Sequence, residues 1–148
     1  GALTDPDVKV PDLKDVVGHP QPPTYVPFRN LLMASYMASY AEAWGHDSIA
    51  LGVHASDEYS YWDTTLPFIL TLQSLFDMNR QNKIRIVTPF LKDVKSGIVG
   101  KGLQLKVPYQ LTWSCYKGGE TPCHECATCR EREQAFKINN TEDPLCVV

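Results

Sequence analysis

The sequence predicts an α/β domain built on a short parallel sheet, with a C-terminal helical tail stapled by a metal. Three observations carry that expectation. Strand-like and helix-like segments alternate between residues 48 and 90, and four cysteines fall within residues 115–129. The first 23 residues hold Pro6, Pro11, Pro20, Pro22 and Pro23 with mixed charges and no hydrophobic period. The expected organisation is an extended loop over 1–23, an α/β part over 24–110 and a metal-binding tail over 111–148.

Taken in order, the first element is a helix in YVPFRNLLMASYMASYAEAWG. Pro27 suits a first helical turn, where its missing N–H costs nothing, and Gly45 is placed to stop the helix. Leu31, Leu32, Ser35, Tyr36, Ser39, Tyr40 and Ala43 recur at helical spacing, while Ala34, Ala38 and Ala41 form a small face for close packing. Consecutive apolar residues in Ser48–Val53 read as a strand buried on both faces of a parallel sheet. A polar, aromatic loop follows, then a helix over Leu66–Met78 and a second strand in KIRIVTPF. Strand, helix and strand at this length make a βαβ unit. A helix around Asp93–Leu105 is weakened by Gly97, Gly100 and Gly102. The last helix is expected to start within the cysteine cluster and run through CREREQAFKI. Two parallel strands cannot cover their own edges, so another chain or a missing N-terminal part is expected to supply the rest of the sheet.

The chain has 148 residues, which suits one domain with a core of its own. A net charge of −3 argues against a broad nucleic-acid or anionic-membrane footprint, so no direct nucleic-acid partner is expected. No apolar run reaches membrane-spanning length and no signal pattern opens the chain. The expected setting is cytoplasmic, where clustered reduced cysteines more often bind metal than pair.

Cys115, Cys123, Cys126 and Cys129 follow a C-x7-C-x2-C-x2-C spacing. Two short steps wrap thiolates around one tetrahedral ion, and the longer loop returns the fourth sulfur, with Gly118 and Gly119 permitting the reversal. Four soft thiolates favour zinc, with an iron–sulfur cluster as rival. His124 sits between ligands and is a weak substitute; Cys146 reads as a bystander. A closed four-sulfur site leaves no open position for water or substrate, so its role is structural, pinning the tail against the α/β layer.

The segments YVPFRN, GVHASD, YWD, TWSCYKGG and CHECATCREREQAF stand in one order with short gaps. Together they resemble the 7-cyano-7-deazaguanine synthase family of the PP-loop ATPase group, across nearly the whole chain. The resemblance implies part of a PP-loop, adenine-nucleotide alpha-hydrolase-like domain. It also implies ATP-dependent conversion of 7-carboxy-7-deazaguanine and ammonia to 7-cyano-7-deazaguanine, in queuosine and related deazapurine pathways. Adenylation turns a poor electrophile into one with a good leaving group, ammonia captures it, and a second activation dehydrates the amide to the nitrile. Carried over by position, Arg29 and Asn30 would line the nucleotide site, and Lys95 would meet phosphate as a catalytic cation. His54, Asp57, Tyr61 and Asp63 would hold the deazapurine. Asp63 would accept from the guanine-like edge, and Tyr61 or Trp62 would stack on the heterocycle. Implied cofactors are structural zinc, with ATP and Mg2+.

Two departures matter. The family's N-terminal SGGxDS pyrophosphate loop is absent, and SGIVGKG (96–102) fails the Walker pattern. The nucleotide-binding half is therefore expected in a second polypeptide or a homo-oligomeric arrangement, leaving this chain inactive alone. After Asp63, Thr64-Thr65-Leu66-Pro67-Phe68 stands where the family reads C-R-P-E-F, and Gly97 replaces its glutamate. The alternative reading is a non-catalytic, zinc-stabilised module that binds a deazapurine or a protein.

Overall fold

The structure, a computed structural model, describes residues 1–16, 18, 21–54 and 61–146. The described residues form four α-helices and one two-stranded parallel sheet, as an α/β protein should. They fall into two compact units, Val26–Asp93 and a second made of Gly1–Tyr25 with Val94–Val148. The segment expected over 24–110 thus contributes to both units, and the proline-rich first residues belong with the tail.

The first unit holds helix α1 (Arg29–Ala43), strand β1 (Ser48–Ala50), helix α2 (Leu66–Phe76) and strand β2 (Arg85–Val87). It is the expected βαβ unit, with Ser48 opposite Arg85, Ile49 opposite Ile86 and Ala50 opposite Val87. Helix α1 begins two residues after Pro27, because Phe28 turns into the left-handed region at φ 54° and stands as its N-cap. Its end is the one expected: Gly45 takes φ 73° and donates to Glu42 O at 3.2 Å, while His46 N–H reaches Ala41 O at 2.8 Å. That pair of bonds is a Schellman stop, which glycine adopts without a Cβ penalty. Helix α2 starts at Thr65, whose hydroxyl accepts from Phe68 N–H, with Pro67 in the first turn.

The small face of α1 forms the core of this unit: Ala34, Ala38 and Ala41 pack with Ile49, Leu72 and Ile84. Ile49, Ile84 and Ile86 share one face of the sheet, and both helices contribute to the cluster on that face. The expectation of burial on both faces is corrected here. Ala50 and Arg85 are exposed on the other face, and Val87 is 40% exposed. Both helices serve one face, and no described element of this unit covers the other.

The second unit packs helix α3 (Lys95–Gln104) on helix α4 (Ala127–Ile138) around Val99, Ala135 and Phe136. Helix α4 does begin inside the cysteine cluster, with Cys126 as its N-cap residue. The glycines that weaken α3 have a packing reason. A Cβ on Gly102 would lie 2.0 Å from the Tyr109 hydroxyl, and one on Gly100 would lie 2.8 Å from Asn139 Oδ1. The close approach lets Tyr109 donate to Val99 O at 3.1 Å and Asn139 donate to Ser96 O at 2.9 Å.

A buried ion pair ties the chain's end to this unit. Arg132 is 6% exposed and Asp143 8%. The guanidinium donates to both Asp143 oxygens, to the Thr112 hydroxyl at 2.7 Å and to Tyr109 O at 3.1 Å, and stacks over Phe136. Burial alone would raise the Asp143 pKa, but the Arg132 bonds and the Leu145 amide outweigh it and hold the carboxyl below its usual range. Asp143→Ala strands a buried cation and should cost about 3–5 kcal/mol in urea unfolding. Because the folded pKa is depressed, the wild type's advantage over this variant should be complete above the ordinary carboxylate range. It should shrink as pH falls through that range.

Candidate functional site

The four cysteines expected to bind metal converge. Cys115, Cys123, Cys126 and Cys129 offer sulfurs that all lie within 4.8 Å of one another, and none of them is disulfide-bonded. A zinc–sulfur bond of about 2.3 Å gives a tetrahedral S···S edge of about 3.8 Å. The Cys123–Cys129 sulfurs stand 3.9 Å apart. An iron–sulfur cluster places several irons between its thiolates and needs wider spacing, so the arrangement suits a single ion such as zinc.

The backbone is shaped for this. Gly118 and Gly119 take φ 67° and 94°, making the reversal between the first and second ligands. Amides of Cys123, Glu125 and Cys126 point at the Cys115 and Cys123 sulfurs at 3.4–3.5 Å, as donors that stabilise thiolate. Burial opposes ionisation of Cys126, yet the Thr128 hydroxyl and the Tyr116 and Cys129 amides bring its pKa down to about 6. Cys129 moves the opposite way, pushed up by burial and by the neighbouring Cys126. One sulfur is thus poised as thiolate, and a cation would draw the proton from the next.

The knot also holds the chain's first segment. Val10 packs on the cysteines, Leu13 N–H donates to Glu125 O at 3.2 Å, and Lys117 bridges Asp12 and Glu125 at 2.9 Å each. The amino-terminal segment had no hydrophobic period to betray this contact.

A second feature lies in the first unit, at the carboxyl end of β1 and the N-terminus of α1. A cavity of about 300 Å3 is lined there by Arg29, Asn30 and His54, three of the residues singled out from sequence, with Met33, Met37 and Thr64. Open α/β sheets bind ligands at this end of their strands, and a helix N-terminus favours anions. Met33 and Met37 were not foreseen, although they follow Arg29 at helical steps of four. Among the described residues no Asp or Glu lines the cavity.

The other expected site residues are placed as follows. Asp63, only 2% exposed, accepts from the Asn30 backbone N–H at 3.0 Å, while the Asn30 side chain donates to Asp63 O at 3.1 Å. Its carboxylate therefore caps α1, a duty that Phe28 has no side-chain acceptor to perform. Tyr61 is buried, and Trp62 meets Phe28 and Phe68 edge to face at 5.4 Å each. Lys95 opens α3 in the second unit. Asp57 lies outside the described residues.

Comparison with known proteins gives a consistent picture. Residues 1–140 match the family model described as "Queuosine biosynthesis protein QueC". A 7-cyano-7-deazaguanine synthase from Persephonella marina is 40% identical over 97% of this chain and 64% of its own length. The synthase of Methanosphaerula palustris is 40% identical over 97% of this chain and 66% of its own. That of Archaeoglobus fulgidus is 41% identical over 82% of this chain and 52% of its own. The chain thus spans less than two thirds of the length of these relatives.

Cys126→Ser should drop the metal content measured by elemental analysis from one equivalent towards none. Hydrogen exchange should then rise in residues 10–16 together with 115–129, since the knot holds both. Exchange that rises in the tail alone would contradict the shared anchor.

Proposed function

This chain belongs to the queuosine biosynthesis protein QueC family, and from that premise we propose that it forms part of a 7-cyano-7-deazaguanine synthase. In this reading it works with an ATP-binding half that carries the SGGxDS loop. The observation that carries it is the gathering of Arg29, Asn30 and His54 in one cavity at the end of β1.

The reaction begins when the carboxylate of 7-carboxy-7-deazaguanine attacks the α-phosphate of ATP and releases pyrophosphate. Ammonia displaces AMP to give the amide. A second ATP activates the amide oxygen, which departs with AMP as two protons leave the nitrogen and the nitrile forms. Throughout, charge sits on phosphoryl oxygens. The Arg29 guanidinium at the N-terminus of α1 meets that charge with two parallel donors, and the helix dipole adds to it. Asn30 is fixed by Asp63 and offers its remaining amide donor capacity beside Arg29. His54 lines the same cavity, where its imidazole would accept a proton from attacking ammonia. Met33 and Met37 provide an apolar, polarisable wall for a flat heterocycle and help to exclude water. Lys95, Asp57 and Tyr61 complete the proposed set. Zinc, when bound, supplies folding energy rather than chemistry.

One observation favours the alternative, a zinc-stabilised deazapurine- or protein-binding module. Thr64–Pro67 serves to cap and open α2 and lacks the Arg and Glu that the resemblance leads one to expect.

Product analysis separates the two. The chain alone should form no AMP from ATP. Adding the SGGxDS-bearing half should restore AMP and nitrile, and no product from the reconstituted pair would favour the binding module. In that pair Arg29→Ala should raise the KM for ATP by about tenfold to a hundredfold, the worth of a charged hydrogen bond. Asp63→Asn retains an acceptor for the Asn30 amide, so it should keep the stability that Asp63→Ala loses, about 1 kcal/mol. If Asp63 also binds the base, both variants should lose deazapurine affinity by calorimetry.

A further inference from the structure

The second unit has a cavity of its own, about 650 Å3 in volume. It is bounded by His124 of the cysteine knot, by Glu133, Phe136 and Lys137 of α4, and by residues 140–143 and Cys146 beyond the helix. Small-molecule sites commonly fall in the range of about 300–1,000 Å3, with a few convergent polar groups on an apolar wall.

Two of its residues hold backbone angles that favour glycine: His124 takes φ 58° and Asn140 φ 52°. Elsewhere the chain places glycine at such turns, as at Gly45, Gly118 and Gly119. Asn140 has a local reason, because it closes α4. Its N–H donates to Lys137 O at 3.0 Å, and Thr141 N–H donates to Phe136 O at 3.2 Å. The His124 imidazole has no such reason. It stands outside the four-sulfur set and makes no hydrogen bond or ion pair among the described residues. A strained position whose side chain serves no fold contact points to a ligand.

The charges around the cavity divide into engaged and unengaged ones. Asp143 is committed to Arg132, and Glu133 accepts from Arg130 at 3.2 Å. Burial and the Asp143 carboxylate push the Cys146 thiol up, which keeps it neutral. Lys137 and Glu142 remain. They carry opposite charge and line one cavity, yet no ion pair joins them to each other or to another described residue. The Asn140 side-chain amide is likewise unengaged among the described residues. A simple anion here would meet the Glu142 carboxylate, and a simple cation would meet Lys137. A molecule carrying both charges satisfies both groups.

We propose that this cavity binds a small zwitterion, a free amino acid or a short peptide. Lys137 and Asn140 take its carboxylate, Glu142 takes its ammonium group, and His124 meets a further polar group. Phe136 supplies an apolar patch of the wall. The site is independent of the synthase reading, and its occupant is neither substrate nor nucleotide of that reaction.

The test follows backbone amide shifts of the whole, zinc-loaded chain by NMR as L-phenylalanine or the dipeptide glycyl-L-phenylalanine is added. Saturable shifts are expected at residues 124, 137, 140 and 142, and the probe that saturates at lower concentration identifies which source the site prefers. Phenethylamine and 3-phenylpropionate, each lacking one of the two charges, should bind about tenfold more weakly. Lys137→Ala and Glu142→Ala should each weaken the zwitterion by about tenfold, as the loss of a charged hydrogen bond does. His124→Gly relieves the left-handed backbone, so it should keep its zinc and its thermal stability while binding more weakly. A histidine that serves the fold alone would lose stability and leave binding unchanged. No saturable shift with either probe would overturn the proposal, as would equal binding of the single-charge analogues. Binding that survives both Lys137→Ala and Glu142→Ala would place the ligand elsewhere and overturn it too.

Discussion

Four sulfurs within 4.8 Å of one another set the architecture of the unit made from the two ends of the chain. Thiolates brought this close repel unless a cation lies between them, so the arrangement suits a single ion such as zinc. What they gather is more than a tail. Residues 10–13, in a segment with no helix of appreciable length, reach the knot through Val10, a backbone bond and the Lys117 bridges. The helical core of the unit is small, centred on Val99, Ala135 and Phe136, and cannot by itself order so much irregular chain. The knot at the start of α4 and the Arg132–Asp143 pair at its middle hold it in place.

Much of this was legible in the sequence where one residue type has one physical use. The cysteine spacing, the stop at Gly45 and the βαβ order all belong to that class. The reading was less complete wherever a side chain's role depends on a distant partner. The resemblance assigns Asp63 to the guanine-like edge of a base; the bond its carboxylate makes to the backbone N–H of Asn30, thirty-three positions away, was not legible in the sequence. On α1 the alanine face read from the sequence is the one that packs: Ala34, Ala38 and Ala41 are buried, while Leu32, Tyr36 and Tyr40 are left outside. Met33 and Met37 passed unnoticed because methionine signals packing in most contexts.

Asp63 also shows how support and chemistry are interleaved at the cavity. The residue that steadies the first turn of α1 steadies Arg29 and Asn30 with it. A loop rearrangement near Trp62 would therefore reach the cavity through a helix end as well as through Thr64, which lines it. The edge-to-face packing of Trp62 between Phe28 and Phe68 braces that loop from the other side. Residues 61–68 act as a bracket between two helices.

The glycines of α3 carry a lesson for anyone who would toughen this protein. Replacing helical glycine with alanine is a common stabilising recipe, since it narrows the unfolded ensemble. At Gly97 a methyl group would meet only a Val94 methyl at 3.9 Å, and the recipe applies. At Gly102 the same methyl would occupy the place of the Tyr109 hydroxyl, and at Gly100 it would crowd Asn139. Three identical residues within six positions thus have opposite engineering value, and only the helix packed against them tells which is which.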